Sequence, residues 1–345
     1  MMMPVRTLTR RELNRALLAR QLLLERGRMP LPRALERVGG LQAQYAPSMY
    51  VGLWSRVEGF ERDALTAALE RRSVIQATLM RSTIHLVSRR DYWPFAVATR
   101  AARRASWTRA YPELGDGMAE AARTLRRRLD GGGTLRRSEV EALLGKPRAR
   151  GVGLWLDLVR VPPSGTWERR RADLYAAAED WLGEPAVDFE AAAEHLVQRY
   201  LAGFGPASRA DVASWSGLPP AALAPVLERL ALRRFRSEEG EELLDLPRAP
   251  LPDPETPAPP RFLPTWDATL LVHARRTCLL PEEHRPAIFS SRNPHSLPTF
   301  LVDGVVAGTW KHERGGVRLD PFAPLDGAAR KALREEADRL AELHA

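Results

Sequence analysis

Gln42 and Gln44 stand two residues apart in Gly39-Gly40-Leu41-Gln42-Ala43-Gln44-Tyr45. In an extended segment both amides point to one side and Ala43 to the other. A glutamine amide offers two donors and one acceptor oxygen and does not titrate, so a pair of them can hold one water or one base edge. A polar loop would use the same two residues without any chemistry. The second set that could do chemistry is Arg81, Thr83 and His85, in Met80-Arg81-Ser82-Thr83-Ile84-His85-Leu86-Val87. Ile84 and Leu86 alternate there with Thr83, His85 and Val87, so a strand would carry one apolar and one mixed face. His85 could contact phosphate, orient a substrate, or satisfy a buried carbonyl.

The elements around these residues follow from periodicity and capping. Leu8 to Glu25 predicts a helix capped by Thr7 or Thr9, and Leu31 to Val38 a second, stopped by Gly39. Ser48 can cap a helix carrying Tyr50, Leu53, Trp54 and Val57 inward, and Glu61 to Arg71 is another. Strands are expected at Ile75 to Leu79 and Thr83 to Val87, then a helix from a Ser88/Asp91 capping box through Ala102. After Gly131-Gly132-Gly133, a short helix ends near Gly145, an apolar run spans Gly153 to Val161, and Val161 to Trp167 forms a Pro/Gly-turned wing. Arg148, Arg150, Arg169, Arg170 and Arg171 surround it, either as phosphate contacts or as a solvated face.

A third module runs helix then tight turn (Gly205 to Leu218), helix (Pro219 to Leu230) and wing (Phe235 to Leu246, broken at Gly240). Its would-be recognition helix opens with Pro219, Pro220, Ala221, Ala222, Leu223, Ala224 and Pro225, none of which can read a base edge. Its wing carries Glu238, Glu239, Glu241 and Glu242, which would repel phosphate, so the module reads as scaffold. Pro247 to Pro264 predicts a semi-rigid connector. Strands are expected at Thr269 to Val272, Thr299 to Val302, Val305 to Trp310 and Val317 to Leu319, and a helix at Asp326 to Leu343. Asp303-Gly304 is a two-residue hairpin signal.

Composition narrows the function. With 345 residues, the chain has room for several domains. It holds one cysteine and seven histidines without a paired-histidine spacing, which argues against a zinc site and fits a reducing compartment. No apolar run is long enough for a membrane span, and no P-loop or Gly-x-Ser-x-Gly elbow occurs. A charge of +9, nearly all of the basic residues being arginine, suits a polyanion such as nucleic acid, although a GC-rich genome would also enrich arginine.

In its order of motifs, Leu41-Gln42-Ala43-Gln44, then Met80 to Val87, then Leu301-Val302-Asp303-Gly304-Val305-Val306-Ala307-Gly308-Thr309-Trp310, the chain resembles the winged-helix DNA glycosylases of the AlkZ/YcaQ type over nearly its whole length. The resemblance implies an α+β fold: tandem winged-helix modules, then a small C-terminal β-barrel and a terminal helix. The expected division is 1–110, 111–190 and 191–250 for the three modules, 251–264 for the connector and 265–345 for the barrel with its helix. It implies a monofunctional glycosylase that removes cationic N3- or N7-alkylated purines in DNA repair, with Gln42 and Gln44 catalytic in the Gln-x-Gln form associated with crosslink unhooking. Arg81, Thr83 and His85 would wall the active site. Arg275, Arg276 and Asp267 match a part of the pattern expected to face DNA, although Asp267 could instead cap or buttress a turn. No cofactor or metal is implied. The expected partner is double-stranded DNA, bound largely without regard to sequence by a cytoplasmic, nucleoid-associated monomer that does not engage membranes. A non-catalytic winged-helix DNA-binding protein or transcription regulator is the alternative, and a scaffold for a protein partner a further one.

Overall fold

Side-chain caps start several helices where the sequence places them. Thr9 and Glu12 form a reciprocal capping box at the head of Arg10–Arg20, and Ser88 accepts the Asp91 N–H at the head of Arg89–Ala110. Asp326 caps Gly327–His344, and a Ser208/Asp211 box opens Arg209–Ser216, later than the Gly205 start read from the sequence. The computed structural model that carries these elements describes residues 5–271, 278–289 and 296–345. Leu31–Val38 is helical over the span its apolar spacing predicts and ends on Gly39 at φ 79°. Gly40 follows at φ 81°, and a Cβ there would meet Val87 Cγ1 at 2.9 Å. The two glycines therefore turn the chain and let it lie directly on the strand that contains Val87.

That strand belongs to a six-stranded antiparallel sheet, ordered Leu41–Gln42, Ile84–Ser88, Val74–Thr78, Leu158–Arg160, Leu174–Ala177, Leu135–Arg136. The hairpins expected as separate wings of the first two modules are joined edge to edge, Ala77 opposite Val159. One sheet face packs Leu41, Ala43 and Leu86 onto a core with Met49, Leu53 and Leu65. The other sends Ile75, Ala77, Val87 and Val159 into the main core, under the paired helices Arg89–Ala110 and Phe189–Phe204.

The third module has the expected order of Arg209–Ser216, a left-handed Gly217, Pro220–Arg229 and the hairpin Arg233–Ser237/Glu242–Asp245. An unexpected strand, Thr7–Leu8, pairs in parallel with Arg233–Ser237. Arg20 and Asp245, both wholly buried, close the same junction at 2.6 Å. The N-terminal segment is therefore built into the third module.

Arg261–Leu263, Thr299–Val302, Val305–Glu313 and Gly316–Pro321 form a four-stranded antiparallel sheet in that order, covered by Gly327–His344 through Leu333, Leu340 and Leu343. Among the described residues its end strands do not pair with each other. Asp303 and Gly304 both take positive φ, as a tight two-residue hairpin requires. The sheet docks on Val51 and Trp54 of Ala46–Trp54, the helix that leaves the glutamine pair.

Three local expectations are corrected. Residues 261–263, placed in the proline connector, are a strand of the C-terminal sheet. Thr269 to Leu271, expected in a strand, belong to the short helix Ala268–Leu271, because Asp267 Oδ1 accepts the Thr269 N–H at 3.0 Å and its hydroxyl at 2.8 Å. Ser48 is not a cap. The helix starts earlier, at Ala46, with Pro47 in the first turn where its missing N–H costs nothing.

Candidate functional site

Gln42 is the last residue of an edge strand, and its register partner is His85. Ala43 N donates to Ile84 O at 2.7 Å. The return bond is not made to Ala43. The exposed Gln44 side chain accepts the Ile84 N–H through Oε1 at 2.7 Å instead, so an amide replaces the next rung of the ladder. Gln42 is half-buried and its Oε1 receives Arg81 Nη2 at 3.4 Å, a long contact that leaves acceptor capacity free. Ala43 is buried, Gln42 half-buried and Gln44 exposed, in keeping with the alternation read from the sequence.

Arg81 sits at the tip between the two strands, with φ 52° followed by Ser82 at φ 60°. Its guanidinium also donates to the Trp215 carbonyl near the end of Arg209–Ser216. Gly217, in the left-handed region at φ 73°, lets that helix end pass beneath Arg81. Burial pulls the Arg81 pKa down to about 10, which still leaves it charged at neutral pH. Thr83 Oγ1 donates to Met80 O at 3.1 Å and so braces the turn.

His85 is 3 % exposed, with Nδ1 3.0 Å from Thr83 O. A carbonyl only accepts, so Nδ1 carries the proton and Nε2 is left as an acceptor. Burial, helped by the Arg81 and Arg103 charges, pushes its pKa down to about 3. The carbonyl contact is one of the three roles open to it from sequence.

Asp267 stands elsewhere. Its side chain is buried and pairs with the equally buried Arg56 at 2.9 Å while holding Thr269. It thus makes the contacts of the second alternative read from the sequence, capping a turn, and it balances a core charge. Arg275 and Arg276 lie outside the described residues. Arg170 donates to Tyr45 Oη at 3.2 Å, Arg171 pairs with Asp173 at 3.2 Å, and Arg148 and Arg150 are exposed.

Two contributors were missed from sequence. Gln76, 2 % exposed, points Nε2 at Ala43 O at 3.5 Å and at Met49 Sδ at 3.9 Å, beneath the glutamine strand. A polar residue inside Val-Ile-Gln-Ala-Thr is itself a signal, because a buried glutamine demands partners. The Trp215 carbonyl carries no such mark, since any residue type presents one.

A model of the family described as DNA glycosylase AlkZ-like matches residues 35–343. The chain belongs to the AlkZ-like DNA glycosylase family. Its fold is similar to that of Streptomyces sahachiroi DNA glycosylase AlkZ, with a TM-score of 0.80, 20 % identity, and 98 % of this chain and 97 % of that one covered. No curated protein matches the sequence. Membership of this family makes DNA the polymer acted on and N-glycosyl hydrolysis the chemistry. Among the described residues no helix is long and apolar enough to cross a membrane.

Proposed function

We propose that the protein excises cationic N3- or N7-alkylated purines from duplex DNA, with Gln42 and Gln44 holding the water that attacks C1′. The observation that carries this reading is the pair of amides at and just past the end of an edge strand, each oriented by its own donor, Arg81 for Gln42 and the Ile84 N–H for Gln44. Each carbonyl oxygen keeps a lone pair for a water hydrogen. An alkylated purine is already a positively charged leaving group, so no acid has to protonate it. What remains is to place water beside an oxocarbenium-like sugar. Amides are too weakly basic to activate water for a neutral purine, so unmodified DNA is spared. Arg81 acts as a positioning residue for Gln42, its charge drawn back toward the Trp215 carbonyl.

Exposed Gln44 and Tyr45 at a sheet edge leave room for an adduct too large for an enclosed base pocket, which supports crosslink unhooking as part of the activity. Binding is largely blind to sequence. The helix Pro220–Arg229 buries Leu223, Val226 and Leu227 and opens without base-reading side chains. In the adjoining hairpin, Glu239 is paired with Arg10 and Glu242 with Arg234.

The test is single-turnover excision from duplex DNA carrying one N7-alkylguanine, with a crosslinked duplex as a second arm. Gln42→Ala and Gln44→Ala should each slow release by roughly 100-fold or more, the cost of losing a preorganised polar group, with duplex affinity unchanged. Wild-type protein that binds DNA but releases no base from either substrate would favour the non-catalytic alternative.

A further inference from the structure

Between the tip of the first hairpin and the second module lies a cavity of about 180 Å³, lined by Thr78, Ser82, Arg137, Arg150, Arg160 and Tyr175 among others. Arg160 is the buried member at 9 % exposure. Its Nη2 donates to Thr78 Oγ1 at 3.1 Å, and its Nε has no hydrogen-bond partner among the described residues. The carboxylates nearby are committed elsewhere, Asp157 to Arg100 and Arg103 and Glu141 to Arg137. Neither Arg150 nor Arg160 makes an ion pair among the described residues. Burial pushes the Arg160 pKa down and Arg137 adds to the push, while the groups that oppose it are the hydroxyls of Tyr175 and Tyr92.

A buried guanidinium without a counter-charge is costly, and it is tolerated where something outside the chain supplies the negative charge. We propose that this cavity seats a phosphodiester group of the bound DNA strand, gripped by Arg160 from below and Arg150 from the rim, with Thr78 and Ser82 as hydroxyl donors. The inference rests on the reading of the chain as an enzyme that acts on duplex DNA. The sheet sets where that phosphate lies. Gln42, His85, Ala77 and Val159 stand opposite one another on successive strands. Three strand spacings, roughly 14 Å, therefore separate Gln42 from the strand of Arg160. Arg160 follows Val159 and so leaves the sheet on the face opposite Gln42, which makes the phosphate one of a nucleotide away from the lesion.

Thermal unfolding of the full chain in inorganic phosphate, with ionic strength held by chloride, and the salt dependence of binding to an undamaged labelled duplex test this together. The wild-type melting temperature should rise saturably with phosphate. Arg160→Gln should abolish that rise and melt no lower than wild type in chloride, because it removes an uncompensated buried charge. Its duplex affinity should fall by about tenfold, the worth of one charge-assisted hydrogen bond, and its log–log salt slope should become shallower by about 1. Arg150→Gln, an exposed change that does not touch the core, should shift affinity and slope the same way. Two results overturn the proposal: salt slopes unchanged in both variants with Arg160→Gln melting well below wild type, which makes Arg160 structural, or a phosphate-dependent melting shift with unchanged slopes, which makes the cavity a site for free phosphate. Neither measurement requires base release, so a protein that excises nothing could still pass, and one that excises alkylpurines could still fail.

Discussion

His85 offers the most direct test of the site, because its burial makes a claim about both catalysis and stability. In an unfolded chain a histidine has a pKa near 6.5, whereas here it is pushed down to about 3. At pH 5 the folded ring is about 1 % protonated and the unfolded one about 97 %, by the ordinary titration curve. The unfolded state therefore binds more protons throughout this window, so stability is fully present above about pH 6.5 and is lost as the pH falls toward 3. At 1.36 kcal/mol per unit of separation, the loss between pH 7.5 and pH 5 is about 2 kcal/mol from this residue. His85→Gln removes that dependence. Urea denaturation of both proteins at the two pH values isolates it, since every other titration is common to the pair. Single-turnover excision, corrected for spontaneous depurination, should be nearly flat from about pH 5.5 to 8.5, because neither an amide nor this imidazole titrates there. A limb near pH 6 to 7 that vanishes in His85→Gln, with no difference in pH-dependent stability between the proteins, would refute the reasoning and make His85 the base.

Other consequences follow from the same geometry. Gln44→Glu keeps an acceptor for the Ile84 N–H and should introduce an acid limb near the ordinary carboxylate pKa of about 4.3 in the excision profile. A flat profile would mean that Gln44 does not touch the water. Asp267→Ala strands the buried Arg56 guanidinium and should cost about 3–5 kcal/mol in denaturation experiments, with the salt dependence of DNA binding unchanged in whatever protein still folds. A steeper salt slope would return the Asp267 carboxylate to the DNA-facing surface. Affinity for undamaged duplexes should fall steeply with salt and differ little between unrelated sequences, and a single tight consensus from a randomised-site selection would contradict that.

Much of the local structure was legible in the sequence. Thr9, Ser88, Ser208 and Asp326 start helices where their side chains can accept an N–H two or three residues on. Gly39 and Gly217 end helices because only a residue without a Cβ enters the left-handed region freely. The Gln42/Gln44 alternation and the Asp303-Gly304 turn are short-range stereochemistry as well. Such features are decided by atoms a few bonds apart, so a one-dimensional reading reaches them. Asp267 marks the edge of that reach. Its capping of Thr269 is local, but what removes it from the surface is Arg56, far away in the chain.

Tertiary structure alone decided the rest. Nothing near Ala77 announces that it will pair with Val159, and that one contact merges two modules into one sheet. Arg81 reaches Gln42 because Gly217 and the Trp215 carbonyl lie beneath it, and Thr7–Leu8 finds its partner strand more than two hundred residues on. His85 has the same neighbours in sequence whether it faces water or core, and only the packing of the sheet against Arg89–Ala110 and Phe189–Phe204 buries it. Desolvation and the field of Arg81 and Arg103 then set its charge. Both depend on which distant surfaces close over a side chain, so its identity and spacing leave that charge open.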